Sequence, residues 1–346
     1  MSGIENLVAS KILSFQKPGD LFSAPDAKKI KVEYLNLCKK WHPDHNKLPI
    51  ANQVMAKIND LYFIAIKQVG RNTWEQTNFI KIPLVNNKAL DVHYRAVKEF
   101  ELGRIYFCNE VIFYSIKKKY KDFFNNYLKI VNSFRYYNSN MREEVSKYLP
   151  QIILSSELRC GSFIIGVKKP SDVYLLRDIL NYYNGNIQDR HIMWILSTMY
   201  NVCCYIDYSR LSHNGITLDN YFISPKYHSG MLLGGWWYSV NQEEKMIGVS
   251  SEIYNVLPES IKNKKLGNIV TDLESIKYIG KMLLGEKNGC GIRYNKKIPV
   301  PLRDWFLKPC SKNAVEEYTN WKEVIIKSYG KREFYKMEID DNKIYK

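Results

Sequence analysis

What this sequence has little of narrows it first. Its 35 Asp and Glu are outnumbered by 51 Lys and Arg, leaving a formal net charge of +16. That surplus favours an acidic partner surface or nucleic acid. A solvated lysine-rich surface accounts for it equally well, and net charge says nothing about fold. The cysteines Cys38, Cys108, Cys160, Cys203, Cys204, Cys290 and Cys310 form no C-x-x-C pair, and the histidines add no metal-ligand spacing. This points to reduced, mostly buried thiols, a cytoplasmic chain, and no metal or cofactor. Met1-Ser2-Gly3-Ile4-Glu5 has no charged n-region leading into an apolar run, so no signal peptide is expected. The most apolar stretch, Met193 to Ile206, is too short and too polar to span a membrane. Repeats and low-complexity tracts are absent. What is present is a 346-residue chain, 45% hydrophobic and 14% aromatic, with room for two or three domains and real cores. Its richness in Lys, Asn, Ile and Tyr suits an AT-rich genome, a viral one among them; the compartment would then be the host cytoplasm.

The sharpest local statement is Trp41-His42-Pro43-Asp44-His45-Asn46. Pro43 cannot continue a helix, and it pushes His42 out of the α region. The loop therefore sets an imidazole, a rigid ring and a carboxylate side by side. Upstream, Ile4, Val8, Ile12 and Phe15 recur at helical spacing and predict a helix over 4–16, ended by Lys17-Pro18-Gly19. Asp26 N-caps a second helix with Ile30, Tyr34, Leu37 and Trp41 on one face and Lys28, Lys29, Lys31, Lys39 and Lys40 over the rest. A third helix carries Ala51, Val54, Met55, Ile58, Leu61, Tyr62, Ala65 and Val69 as its apolar stripe. Two such helices with a short connection pack as an antiparallel hairpin, and the loop lies at its tip.

Residues 19–69 resemble the J domain of the DnaJ co-chaperone family. Tyr34 to Asn46 is similar to that family's second helix and loop, and Ala56-Lys57-Ile58-Asn59-Asp60-Leu61-Tyr62 to its third-helix signature; Met55 stands where the family usually has Phe. The resemblance implies docking on a DnaK-type chaperone and stimulation of its ATPase through His42, Pro43 and Asp44. A cationic face with Lys28, Lys31, Lys39 and Lys40 would steer the hairpin onto an acidic chaperone surface.

From about Ala89 the pattern turns to strands, at 97–103, 104–108 and 111–116, with Asn109-Glu110 as a turn. Helices are expected at about 120–134 and 141–148, strands at 151–158 and 162–167, then helices at about 172–182, 189–208, 271–284 and 313–327. Strands first and helices later imply a mixed small lobe and a helical large lobe. His213-Asn214-Gly215-Ile216-Thr217-Leu218-Asp219-Asn220 resembles the protein-kinase catalytic loop, H-R-D-L-x-x-x-N. Met231 to Tyr238 falls where the magnesium-binding D-F-G would be. Thr271 to Gly280, with Asp272, is similar to the helix whose buried Asp holds that loop. Tyr114-Ser115-Ile116-Lys117 is a candidate for the strand carrying the phosphate-binding lysine.

The departures outweigh the matches. Gly215 holds the position of the base. Leu233, Gly234 or Gly235 holds the position of the metal carboxylate, Gly103 stands alone without a glycine-rich lid, and residues 120–134 contain no Glu to pair with Lys117. Phosphoryl transfer is positioning plus electrostatics, and this loop lacks most of both. The resemblance is thus to a pseudokinase, with His213, Asn220 and Asp272 as scaffold. Cys203-Cys204, Trp305, Tyr318 and Trp321 read as core. Trp236-Trp237-Tyr238 reads as strand packing, with a base-stacking platform as the alternative.

The expectation is an α+β chain: a small all-helical J-domain hairpin over 1–72, a linker over 73–89, and a bilobal kinase-like domain over 90–346, divided near residue 170. Its expected role is a co-chaperone or adaptor that is not itself an enzyme, partnered by a DnaK-type chaperone and an unknown client. The alternatives are an atypical kinase or nucleotide binder and a nucleic-acid-binding protein with an accessory J domain.

Overall fold

The computed structural model describes residues 7–71, 73–75, 78–85, 87–286, 291–330, 334–341 and 343–345. Cys290 and Met1 to Glu5 lie outside the described residues. The chain is mixed α+β, with a β-sheet region followed by helices. It divides into two compact units, one of residues 1–98, 106–110 and 340–346, the other of 99–105 and 111–339.

The first unit opens with α1 (Ala9–Ser14) and α2 (Pro18–Leu21), followed by α3 (Ala27–Trp41) and α4 (Ala51–Gly70). The described part of the helix expected over 4–16 is the shorter α1. Asp26 caps α3 by accepting the Lys29 N–H at 2.8 Å. Ile30, Leu37 and Trp41 of α3 meet Val54, Met55, Ile58, Leu61 and Ala65 of α4 in one buried cluster. Tyr34 Oη donates to Asn59 Oδ1 at 2.9 Å, and the Tyr34 ring stacks on Tyr62 at 4.0 Å. Tyr34 and Asn59 each lie about two turns from the connecting loop, so the helices run antiparallel. Behind them Glu75 is buried, paired with Lys17 at 2.5 Å and accepting the Gly19 N–H at 2.7 Å.

The stretch expected as a linker over 73–89 is in part strand. β1 (Asn78–Pro83) pairs antiparallel with β2 (Ala89–Tyr94), setting Ile80 opposite Val92 and Ile82 opposite Leu90. The signal is the period-2 alternation Ile80, Ile82, Leu84. The end of the chain belongs to this unit too: Asp341 pairs with Arg95 at 2.9 Å, and the Tyr345 ring packs on Phe107.

β3 (Ala96–Phe100) and β4 (Gly103–Phe107) supply residues to both units. With β5 (Val111–Ile116), β6 (Ile152–Glu157) and β7 (Phe163–Lys168) they form a five-stranded sheet of order β3-β4-β5-β7-β6. The single strand expected over 97–103 is broken by a turn at Glu101-Leu102. Gly103 restarts it because a Cβ there would stand 1.9 Å from the Ser115 carbonyl oxygen. Helices α5 (Lys121–Asn132) and α6 (Ser139–Val145) lie between β5 and β6 in the chain.

Beyond the sheet come β8 (Tyr174–Leu175), α7 (Leu176–Tyr182), α8 (Asp189–Tyr208), β9 (Leu211–Ser212), β10 (Tyr221–Ser224), β11 (Ser229–Leu232) and β12 (Val240–Asn241). Helices α9 (Ser251–Tyr254), α10 (Glu259–Lys264), α11 (Ile269–Leu283), α12 (Val300–Leu307) and α13 (Ala314–Tyr329) complete this unit. Tyr200 of α8, Trp305 of α12 and Trp321 of α13 share its core, with the two indoles 4.5 Å apart. Cys203 is fully buried and Cys204 partly so.

One ionic contact fixes the C-terminal helices. Lys277 and Glu317, 3% and 2% exposed, pair at 3.2 Å. Lys277 also donates to the Lys308 carbonyl at 2.9 Å, and Glu317 accepts the Ser311 N–H at 2.7 Å. Removing one partner of a buried pair strands the other charge, whereas replacing both with apolar groups does not. Lys277→Ala should lower unfolding free energy by about 3–5 kcal/mol, read by urea denaturation. Lys277→Met combined with Glu317→Met should recover most of that loss.

Candidate functional site

The His42 loop follows from how α3 ends. The His42 N–H still donates to the Cys38 carbonyl at 2.8 Å, but His42 is already extended, as the residue before a proline must be. The chain then closes on itself. The His45 and Asn46 N–H groups both donate to the His42 carbonyl, at 2.9 and 2.8 Å. Asn46 ties the turn from both sides: its Nδ2 donates to the Lys40 carbonyl at 3.1 Å and its Oδ1 accepts the Leu48 N–H at 3.1 Å. His42 and Asp44 remain exposed, at 47% and 79% of their side-chain surfaces. His42 Nδ1 lies 3.2 Å from the Asp44 nitrogen and 3.3 Å from Asp44 Oδ2.

The lysines divide. Lys28, Lys31 and Lys39 are exposed, with no side-chain hydrogen bond or ion pair among the described residues. Lys40 departs from this set, because its ammonium donates to the Leu7 carbonyl at 3.1 Å and stands 5.6 Å over the Trp41 ring. Val32 and Leu35 on the same helix are 59% and 48% exposed, so α3 presents apolar surface alongside its charge. The hydropathy pattern did not flag that feature.

In the second unit, His213, Gly215, Asn220, Gly234, Gly235 and Asp272 converge. Asp272 of α11 accepts the His213 N–H at 2.7 Å on one oxygen and the Asn214 N–H at 2.9 Å on the other. Asn220 Nδ2 donates to the Gly215 carbonyl at 2.9 Å. A Cβ on Gly235, where φ is +84°, would sit 2.5 Å from His213 Cε1; one on Gly234 would sit 2.5 Å from Asn220 Oδ1 and 2.9 Å from Tyr114 Oη. A Cβ on Gly215 would meet the Gly235 carbonyl at 2.9 Å. A side chain at Gly215, Gly234 or Gly235 would therefore have to displace its neighbours. Lys117 is not part of the cluster. It is exposed past the end of β5, and its N–H donates to the Leu102 carbonyl at 2.9 Å. The strand residue turned into the cluster is Tyr114, fully buried.

Aromatic rings fill the interior. Trp236-Trp237-Tyr238 is a 3₁₀ turn rather than the expected strand, because Gly235 reverses the chain in the left-handed region. Trp237 is 1% exposed and packs against Phe100 at 5.2 Å, Tyr114 at 5.3 Å and Tyr127 at 5.8 Å. Trp236 meets the His213 ring edge-on at 4.5 Å. Rings this buried offer no stacking face to a base. Helix α5, which has no Glu to offer, holds the segment differently: Tyr127 Oη donates to the Leu233 carbonyl at 2.9 Å, and Asn126 Nδ2 to the Trp237 and Ser239 carbonyls at 3.1 and 2.8 Å. Sequence reading missed Tyr114, Asn126 and Tyr127. The only local sign was the density of Tyr and Phe in 113–127. Among the described residues no three His, Cys, Asp or Glu side chains are grouped to hold a metal ion.

Burial governs protonation here. It pushes His213 down from 6.5 to about 3, leaving a neutral imidazole. It pushes Asp272 up from 3.8 to about 7, against the two N–H groups that favour the carboxylate. Their effects on stability oppose each other. As pH falls from 6.5 the unfolded His213 takes a proton that the folded one refuses, so stability drops. As pH rises from 3.8 the unfolded Asp272 loses a proton that the folded one keeps, so stability drops in that direction too. Between about 4 and 6.5 the two slopes cancel.

Two outcomes follow from this geometry. Gly234→Ala should cost about 1–3 kcal/mol through forced displacement of Asn220 and Tyr114, seen as a lower thermal midpoint. Asp272→Asn should destabilise at every pH, and should leave the His213 slope uncompensated. Its deficit against the parent should shrink as pH rises from 4 to 6.5, by at most about 1.4 kcal/mol per pH unit, read from urea melts across that range. A scan against protein-family models returned no match to this chain, and a search of curated proteins returned none either.

Proposed function

We propose that this chain is a J-domain co-chaperone or adaptor. Its helical hairpin recruits a DnaK-type chaperone and stimulates that chaperone's ATPase, while a catalytically degenerate kinase-like domain binds the client or partner. The observation that carries the reading is the His42-Pro43-Asp44 tip. Its His42 and Asp44 side chains are exposed, and the turn is braced by Asn46 and by the two N–H groups on the His42 carbonyl, at the end of a helix that presents Lys28, Lys31 and Lys39. Cationic charge beside a rigid polar loop supports steering onto an acidic surface followed by a short-range polar contact.

The kinase-like part of the reading rests on the convergence of His213, Gly215, Asn220, Gly234, Gly235 and Asp272, and on the five-stranded sheet preceding the helices. The absence of a base and a metal carboxylate from that convergence supports a binding role over turnover. The ATP hydrolysed would be the chaperone's.

The test is chaperone ATPase rate in single turnover with and without this protein. His42→Gln should abolish stimulation while leaving the thermal midpoint nearly unchanged, because the side chain is about half exposed and lies outside the hydrophobic cluster of the hairpin. Stimulation equal to the parent's would end this reading.

A further inference from the structure

One cluster of polar groups in the second unit has no part in the reading above. Glu101 occupies the turn between β3 and β4. Its carboxylate accepts the Ser251 N–H at 2.9 Å, the Ser251 hydroxyl at 2.6 Å, the Ser250 hydroxyl at 3.4 Å and the Tyr238 hydroxyl. No cation among the described residues takes part. The donors are neutral and converge from one segment, 238–251, far from Glu101 in sequence. Tyr238 and Ser250 are both 5% exposed.

The donors are held in place independently of Glu101. The Ser250 N–H donates to the Asn214 carbonyl at 3.3 Å. Glu252, next to Ser251, pairs with Arg177 at 3.1 Å, and Arg177 grips Asp219 of the buried loop at 2.7 Å. Preorganised neutral donors around one acceptor are how proteins recognise a carboxylate without a countercharge. The buried hydroxyls of Tyr238 and Ser250 would each cost free energy without an acceptor, and Ser251, exposed at the rim, adds two donors to one oxygen of the Glu101 carboxylate, so the site favours an anion. Burial raises the Glu101 carboxyl and the converging donors pull it down; the donors win, and it stays below the usual carboxylate range. The neighbouring residue anchors the same turn: Phe100 packs on Trp237 at 5.2 Å and on Tyr114 at 5.9 Å.

We propose that Tyr238, Ser250 and Ser251 form a carboxylate-binding pocket whose resident ligand is the chain's own Glu101, and that this occupancy latches the β3–β4 turn over the aromatic interior. The latch is a polar tether in series with the Phe100 contact. Freed of Glu101, the pocket takes small carboxylates. This inference is independent of the proposed role of the His42 loop.

Hydrogen exchange of the full chain, resolved by peptide, separates the two halves of the proposal. In Glu101→Ala, exchange at 99–105 and at 250–254 should rise about tenfold. Sodium formate at about 100 mM should then slow exchange at 250–254 by refilling the pocket. It should leave 99–105 fast, because the tether is gone. Sodium chloride at the same concentration should do neither. Unchanged exchange at 99–105 in Glu101→Ala would overturn the latch, and a formate effect no larger than that of chloride would overturn the pocket. Should Glu101→Ala not fold, Glu101→Met keeps the bulk of the side chain with no oxygen acceptor. Exchange at 99–105 must still rise there, and parental exchange in that variant overturns the latch as well.

Discussion

The second unit depends on one buried carboxylate. A loop that dives into a core carries backbone N–H groups that must find acceptors. Asp272 meets that demand for His213 and Asn214 with one oxygen each. Once those two bonds are made, the rest of the loop is placed. Asn214 Nδ2 reaches the Tyr238 carbonyl at 3.2 Å, and Asn220 Nδ2 reaches Gly215. Gly215 then lies against Gly235, and the left-handed turn at Gly235 sends Trp236 onto His213 and Trp237 toward the sheet. Charge, loop path and aromatic packing form a single dependency that begins at α11.

That dependency also sets the character of the loop's surroundings. Gly215, Gly234 and Gly235 pack against side-chain and carbonyl atoms, and the space beside them holds Trp237, Tyr114, Tyr127 and Phe100. Rings exclude water and lower the local dielectric, which keeps His213 neutral and raises Asp272. The electrostatics of the loop are thus a consequence of its packing; Asn214 and Asn220 donate to backbone carbonyls, and Asp219 pairs with Arg177.

How much of this could be read in advance varies with the range of the interaction. Helix α8 begins and ends at the residues its periodicity predicted, and β5 likewise, because both are set by local pattern. The α3–α4 hairpin was legible for the same reason. β1 was not, since six residues ending in proline give a weak signal until β2 is known to pair with them. The convergence of His213, Gly215, Asn220 and Asp272 was legible only as an order of residues along the chain. Lys117 was misplaced because a lysine at a strand end and one inside a strand look alike in sequence. Tyr127 and Glu101 were invisible for a different reason: their partners lie 106 and 150 residues away, and a single sequence carries no record of such pairs.

The two polar loops of this chain solve the same backbone problem in opposite ways, and the difference bears on which of them can meet a partner. The loop at 213–220 draws its acceptor from another helix and is buried in the process. The loop at 42–48 satisfies itself: the His42 carbonyl takes two N–H groups, and Asn46 supplies the remaining acceptor and donor from within the turn. Because the bonds that close it come from within the hairpin, His42 and Asp44 stay at the surface. A partner that binds such a loop need not pay the entropy of ordering it. Self-sufficiency in backbone hydrogen bonding is therefore the property that lets His42 and Asp44 stay exposed on a closed turn, which is what a proposed docking tip requires.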